Sequence, residues 1–319
     1  MRGHRDSSLL PPISAGELAL ARCAEGDLPP NVALAQLFMS AGDLVEAEGM
    51  LAHMLDYIAT RHPAGAARLR SVRDLWRATP GAFATVKAIT AAVDHDDEER
   101  GNNTAHWAQA FDRTVDISAA GGVALYSLGR TDLLAAITGE LIDLMRRWNL
   151  LSRKSNLLDL GCGNGRVLEV VAPMTRLAVG IDVSSRMLDS ARRRCPASAD
   201  LIRSSGRDLA LFASTSFDVI CAVDVFPYLF ASGLSQPHFH EAARVLKPGG
   251  HLIIFNYSYR GSNAADRAEV AELAKAAGFG LPCNGTREFN LWDGLTFLLQ
   301  KNLTRAFSHG AAPRRINRG

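Results

Sequence analysis

From Ser155 onward the chain alternates without interruption between short apolar runs and amphipathic stretches. The runs NLLDL (156–160), LAVGID (177–182), ADLIRSS (199–205), FDVICAVDV (217–225) and HLIIFNY (251–257) read as strands. Between and after them VLEVVA, SSRMLDSARRR, PHFHEAARVL and NAADRAEVAELAKAAG read as helices. Parallel strands cannot be joined by a tight turn. Each needs a crossover, and helical crossovers cover both faces of the sheet. Strict alternation therefore predicts an α/β fold with a mostly parallel, doubly wound sheet. The closing segment TREFNLWDGLTFLLQKN departs from the pattern. It reads as strand, turn at Trp292–Asp293–Gly294, strand, a hairpin that places one antiparallel strand in the sheet.

The first half has a different texture. From Ser14 to about Ala92 apolar residues recur at spacings of three and four, and Pro29, Pro30, Pro63 and Pro80 punctuate the pattern. One stretch, ALAQLFMSAGDLVEAEGMLAHML, resembles a single tetratricopeptide unit, but no second copy follows at that period, so a plain helical bundle is expected. The expected organisation is a disordered N-terminus at 1–13, a helical module at 14–93, a linker at 94–104, an α/β domain at 105–302 and a flexible basic tail at 303–319.

A length of 319 residues accommodates two such parts. A net charge of +2 gives no reason to expect nucleic acid or an anionic membrane as partner. Five cysteines at wide spacings, with no Cys-x-x-Cys pair, suggest neither a disulfide framework nor a zinc site. No window approaches the length of a membrane span, and the N-terminus lacks the apolar core of a signal peptide. The expectation is a cytoplasmic protein with reduced thiols and no bound metal.

The chemistry concentrates in LLDLGCGNGR (157–166). Gly161, Gly163 and Gly165 permit left-handed backbone and close approach of a ligand, and the following helix turns its first amides toward it. A dinucleotide fingerprint would need its third glycine at position 166, which is Arg166, and no Gly-Lys-Ser/Thr phosphate loop is present. The stretch resembles the first motif of the class I S-adenosylmethionine-dependent methyltransferases, hydrophobic-Asp-x-Gly-x-Gly-x-Gly. Further matches are Asp182 at the end of the second strand, SFDVICAVDVFPYL, EAARVLKPGGHLIIF and the terminal hairpin. The resemblance covers roughly 105–302. It implies a Rossmann-like, seven-stranded sheet of order 3-2-1-4-5-7-6 with strand 7 antiparallel, and S-adenosylmethionine as cofactor.

The resemblance also implies roles for residues. Asp159, Gly161, Cys162, Gly163 and Gly165 would form the cofactor loop, with Cys162 contributing backbone. Asp182, followed by Val183, would hold the ribose hydroxyls, since one carboxylate can accept from two vicinal donors. Met187 would pack its helix or line the adenine pocket, and Val223 would end the fourth strand against the cofactor. The family's acid after the third strand is not cleanly matched. Asp208, with an amide from Leu209, is the first choice for the adenine, and Ser205 the alternative.

For the acceptor, Asp224, Pro227 and Tyr228 are similar to the Asn/Asp-Pro-Pro-Tyr signature of amino-group methyltransferases, but the spacing is one residue longer and Phe226 replaces a proline. Tyr228, His238 and Tyr257 are the candidate catalytic side chains. Tyr126, Arg130, Asp224, Phe226, Tyr228, Tyr259 and Arg260 are the candidate acceptor contacts, with Asn256 beside them. His238 and His240, two apart on a helix, point to different sides and make a poor metal pair. The expected function is methyl transfer to oxygen or nitrogen of a small metabolite. Two rivals stay open, a protein methyltransferase recruiting a polypeptide through the helical module, and a non-catalytic cofactor-binding scaffold. The module itself could form a homodimer, bind a protein partner or cap the pocket.

Overall fold

The computed structural model describes residues 14–93 and 104–303. The expected disordered N-terminus, all but one residue of the expected linker and all but one of the expected tail lie outside them.

Five helices come first. Ser14 opens α1 (Ala15–Glu25) through a reciprocal pair: its hydroxyl accepts from the Glu17 amide at 3.2 Å, and the Glu17 carboxylate accepts from the Ser14 amide at 3.1 Å. Pro30 begins α2 (Pro30–Ser40), where its missing N–H costs nothing. Asp43 caps α3 (Leu44–Ala59), and the His62 ring nitrogen caps α4 (Pro63–Arg77). α5 (Ala82–Ala92) follows Gly81. Leu20, Leu34, Leu37, Phe38 and Leu69 are fully buried between them. Phe38 meets Trp76 and Phe83 edge-on at 4.9 and 5.4 Å. The same core takes in Leu128 and packs against Leu125 and Tyr126, so the helical layer is continuous with the segment that leads into the sheet.

One polar contact fixes how that layer sits. Asn31 is buried on α2, and its Nδ2 donates to the carbonyl oxygens of both Tyr126 and Leu291 at 2.9 Å. Asn31→Ala leaves two shielded carbonyls without a donor. A loss of about 1–3 kcal/mol is expected in urea unfolding, and an unchanged midpoint would show that apolar packing alone holds the helices in place.

α6 (Thr104–Val123) is broken at Ser118, where the backbone turns extended and the hydroxyl accepts from the Gly121 amide. After α7 (Thr131–Arg147) the sheet begins: β1 (Asn156–Leu160), β2 (Leu177–Asp182), β3 (Ala199–Arg203), β4 (Phe217–Val223), β5 (Leu246–Phe255), β6 (Phe279–Arg287) and β7 (Leu295–Lys301). The order is 3-2-1-4-5-7-6. β1 is central, parallel to β2 and β4, and β7 is antiparallel to β5 and β6. Five further helices lie between and after the strands: α8 (Leu168–Val171), α9 (Ser185–Arg194), α10 (Phe226–Ala231), α11 (Ser235–Val245) and α12 (Asn263–Ala276).

β1 is buried throughout, as a strand covered on both faces must be. Leu158 and Leu160 pack with Phe239 of α11 and Val270 of α12, while Leu157 packs with Leu141 of α7 and Leu168 of α8. By the strand's alternation Asp159 shares the side of Leu157.

The hairpin differs from its sequence reading. β6 starts at Phe279, well before Thr286, and ends at Arg287, so the connection to β7 runs from 288 to 294. FGLPCNGT carries Gly, Pro and Asn, which a central strand would not tolerate, but β6 is an edge strand. Register shifts at Gly280/Cys283 and Asn284/Thr286 absorb the residues a central strand would reject. No described helix is long and apolar enough to cross a membrane.

Candidate active site

The glycine loop adopts the backbone its composition allows. Gly161, Gly163 and Gly165 have φ of 68°, 51° and 77°. A Cβ at Gly161 would overlap the Val225 side chain, and one at Gly165 would lie 2.5 Å from Cys195 Sγ on the far side. The first glycine lets the loop pass under the start of α10, and the third lets it pack on α9.

Asp182 ends β2 and organises that loop. Its Oδ2 accepts from the Gly163 amide and its Oδ1 from the Ser184 amide, both at 2.8 Å. Burial pushes its carboxyl upward and the amides pull it back. Asp112 of α6 reaches across to Ser184 Oγ at 2.6 Å and to the Arg186 amide at 3.0 Å. Asn164 Nδ2 donates to the Ala119 carbonyl at 2.9 Å. The broken helix α6 is thereby tied both to the turn after β2 and to the glycine loop.

Asp159 is buried behind the loop, and its Oδ2 has no hydrogen-bond partner. Burial pushes its carboxyl up to about 8, against the pull of Arg166, with Asp182 adding a smaller upward push. Arg166 is itself buried, at 3.4 Å from Thr138 Oγ1. Its charge bears on Asp159, Tyr126 and Asp224 together. In the sequence Arg166 serves only to exclude a dinucleotide fingerprint. Its place at the centre of the site has no local signal, because it depends on α7 and the Tyr126 segment packing above it.

The second polar centre is Asp224, one residue past β4. Its backbone is left-handed, φ 54°, as is that of Asn256 one residue past β5, φ 70°. Both strands thus end in a sharp turn that aims a polar side chain at the same point. Asp224 Oδ2 accepts from the Tyr126 hydroxyl at 3.1 Å, and its Oδ1 accepts from Asn256 Nδ2 at 2.9 Å and the Tyr259 hydroxyl at 3.3 Å. Burial raises the carboxyl to about 6, and these three donors with Arg166 restrain the rise. The side chain is enclosed by protein yet open to an internal space.

That space is a cavity of about 1300 Å³. Its floor holds Asp159, Asp182, Arg166 and Asp224, and its roof is formed by α1, α2, α5 and α6. Cys162, Val183, Met187 and Val223 line it, and so do Tyr126, Tyr228, Tyr259, Arg260 and His238. Tyr126 stacks on Trp292 at 5.3 Å and 17°, so this hairpin tryptophan is also a wall. His238 is buried, with Nδ1 3.0 Å from the Leu234 carbonyl, which as donor leaves Nε2 bare; burial lowers its pKa. His240 is exposed.

Several candidates sit elsewhere. Tyr257 points to the opposite side from Asn256, is fully buried against Phe226, and donates to Glu269 Oε1 at 2.8 Å. Phe226 lies in the same core, edge-on to Phe239. Arg130 stays outside the cavity, held by Asp132 and 3.3 Å from Thr79 Oγ1. Asp208 is exposed and accepts from the Ala210 amide, and the Leu209 amide is taken by Glu241 Oε2 at 3.1 Å. Ser205 is also exposed; Ser204 and Gly206 line the cavity instead. Arg260 lies at the rim with its guanidinium committed to Asp266 at 2.7 Å and Glu269 at 2.6 Å.

Comparison with known proteins agrees with this geometry. Residues 158–254 match the family model described as a methyltransferase domain. A demethylmenaquinone methyltransferase of Tropheryma whipplei is 39% identical over 104 residues, 32% of this chain and 42% of that protein. A ubiquinone/menaquinone biosynthesis C-methyltransferase of Syntrophotalea carbinolica is 34% identical over 141 residues, 40% and 57% of the two chains. Nodulation protein S of Rhizobium tropici is 33% identical over 102 residues, 31% and 42%. The chain spans about half the length of these curated relatives. Strand order, glycine loop and family match together show that this chain carries a domain of the class I S-adenosylmethionine-dependent methyltransferase family.

Proposed function

We propose that the chain transfers a methyl group from S-adenosylmethionine to a small-molecule acceptor by in-line displacement, at an oxygen or nitrogen that gives up its proton to Asp224. The observation that carries this reading is the single cavity joining the glycine loop to Asp224. At about 1300 Å³ it exceeds the ~300–1,000 Å³ of an ordinary ligand site, which leaves room for two molecules.

The residues present suit the cofactor. Asp159 has an unpartnered, buried carboxylate oxygen, and an ammonium group is the natural counter-charge. Asp182 fixes the loop and retains lone pairs for vicinal hydroxyls. The bound cofactor supplies an electrophilic methyl on a sulfonium. The protein's part is to hold acceptor and methyl in line and to take a proton. Asp224, at about 6, is ionised at neutral pH yet basic enough to accept from a hydroxyl or ammonium. Tyr126, Asn256 and Tyr259 hold its orientation. A phenol ionised in this way can react at oxygen or at the adjacent ring carbon, and two of the relatives are named for quinone methylation. Polypeptide recruitment has less support, because α2 and α5 turn residues of their own inward to roof the cavity.

Asp159 gives a test. At neutral pH its carboxyl holds a proton in the empty protein. An ammonium beside it lowers that pKa, so binding S-adenosylhomocysteine at pH 7 should release about one proton. Calorimetry in buffers of different ionisation enthalpy reads the release, and Asp159→Asn should abolish it. Binding without proton exchange in the wild type would remove Asp159 from the cofactor site. Methyl transfer itself is tested with radiolabelled S-adenosylmethionine against a panel of phenols, quinols and amines.

A further inference from the structure

We infer that Arg166 receives a carboxylate of a bound ligand. The inference rests on the methyl-transfer reading and adds a cationic contact to the same cavity.

A buried guanidinium ordinarily has a carboxylate against it. Arg166 is 5% exposed and borders the cavity, yet among the described residues no acid comes within ion-pair distance of it. Its Nη1 donates to Thr138 Oγ1 at 3.4 Å, longer than the usual N–H···O bond. Thr138 is itself anchored through the Leu134 carbonyl at 2.7 Å. The Tyr126 hydroxyl also lies close to Arg166, but it donates to Asp224. A guanidinium carries five N–H donors, and these neutral contacts leave most of them unspent.

The acids around Arg166 are engaged or neutral. The Asp224 oxygens accept from Tyr126, Asn256 and Tyr259. The Asp182 oxygens accept from the Gly163 and Ser184 amides. Asp159 holds a proton at neutral pH in the empty protein. The guanidinium is therefore short of an anion, and a carboxylate can meet its planar fork with two parallel hydrogen bonds.

Cofactor and acceptor are both possible sources of that carboxylate, and the cofactor is favoured. Its amino-acid end carries an ammonium and a carboxylate on one carbon. Asp159 leads into the glycine loop and Arg166 leads out of it, so an acid and a base short of partners border the same floor.

The test titrates the full chain calorimetrically with S-adenosylhomocysteine and with its decarboxylated analogue, in which hydrogen replaces the carboxylate. The wild type is expected to prefer S-adenosylhomocysteine by about a hundredfold, the scale of removing one partner from a buried charge pair. Arg166→Met, close to arginine in reach, should erase the preference by weakening S-adenosylhomocysteine alone. Arg166→Lys keeps the charge without the fork and should retain part of it. A merely structural role would weaken both ligands equally. Arg166→Gln makes the same comparison if the methionine variant does not fold. For the other source, 4-hydroxybenzoate is compared with phenol on wild type saturated with S-adenosylhomocysteine. A benzoate preference that Arg166→Met loses, with no cost for decarboxylation, assigns the carboxylate to the acceptor. Absence of both preferences in the wild type, or preferences that the neutral variants keep, overturns the inference and leaves the methyl-transfer reading standing. Failure of the wild type to bind S-adenosylhomocysteine overturns that reading and the inference with it.

Discussion

Asp182→Ala is expected to weaken S-adenosylhomocysteine binding by about a hundredfold or more. The carboxylate serves two partners already in place, the Gly163 and Ser184 amides. Each amide left shielded and unpaired costs about 1–3 kcal/mol, and 1.4 kcal/mol is a factor of ten in affinity. Part of the cost will appear as lower thermal stability, so calorimetric titration must be paired with a melting curve. A folded Asp182→Ala protein binding within tenfold of wild type would show that the loop is held from elsewhere, with Asp112 the next residue to examine.

Asp224→Asn is expected to lower the methyl-transfer rate by about 10²–10⁴, the usual contribution of a positioned base, while cofactor affinity stays within about twofold. Asparagine keeps one oxygen, enough for Tyr126 on one side or for Asn256 and Tyr259 on the other, and cannot take a proton. In the wild type the carboxylate is the active form, so kcat/KM should climb as pH rises through about 6 and level off above it. The variant should lack that limb. Tyr126→Phe removes a hydrogen bond that favours the ionised carboxylate, so the limb should move to higher pH. A variant at position 224 with a tenth of the wild-type rate or more would reduce Asp224 to an acceptor contact.

What the sequence revealed follows from how locally each feature is specified. Strand order is legible because β1, β2, β4 and β5 are apolar runs bounded by turn residues, and because the Gly161–Gly165 backbone and the Asp182 carboxylate that holds it lie at the ends of the first two of them. Asp208 and Leu209, read from the sequence as the adenine contacts, lie outside the cavity, with the Asp208 carboxylate accepting from the Ala210 amide and the Leu209 amide donating to Glu241. Asn256, Tyr257 and Tyr259 show the limit of adjacency. At the end of β5 successive side chains face opposite ways, so Asn256 reaches the site and Tyr257 the core. Arg166 and the roof were out of reach altogether. Nothing near Val32, Ala35 or Ile89 in the chain indicates that they line a cavity over a sheet that begins only at Asn156.

The two bonds of Asn31 also bear on the order in which the molecule is made. They span 95 and 260 positions of the chain. Helices α1–α5 are built from neighbouring segments and can pair as they leave the ribosome, whereas the Leu291 carbonyl is made 260 residues after Asn31. Until then the underside of α2, with Val32 and Ala35, has no floor beneath it. A nascent chain arrested before residue 291 should therefore expose that apolar surface, bind hydrophobic dyes and attract chaperones, and lose both properties when the last hairpin is added.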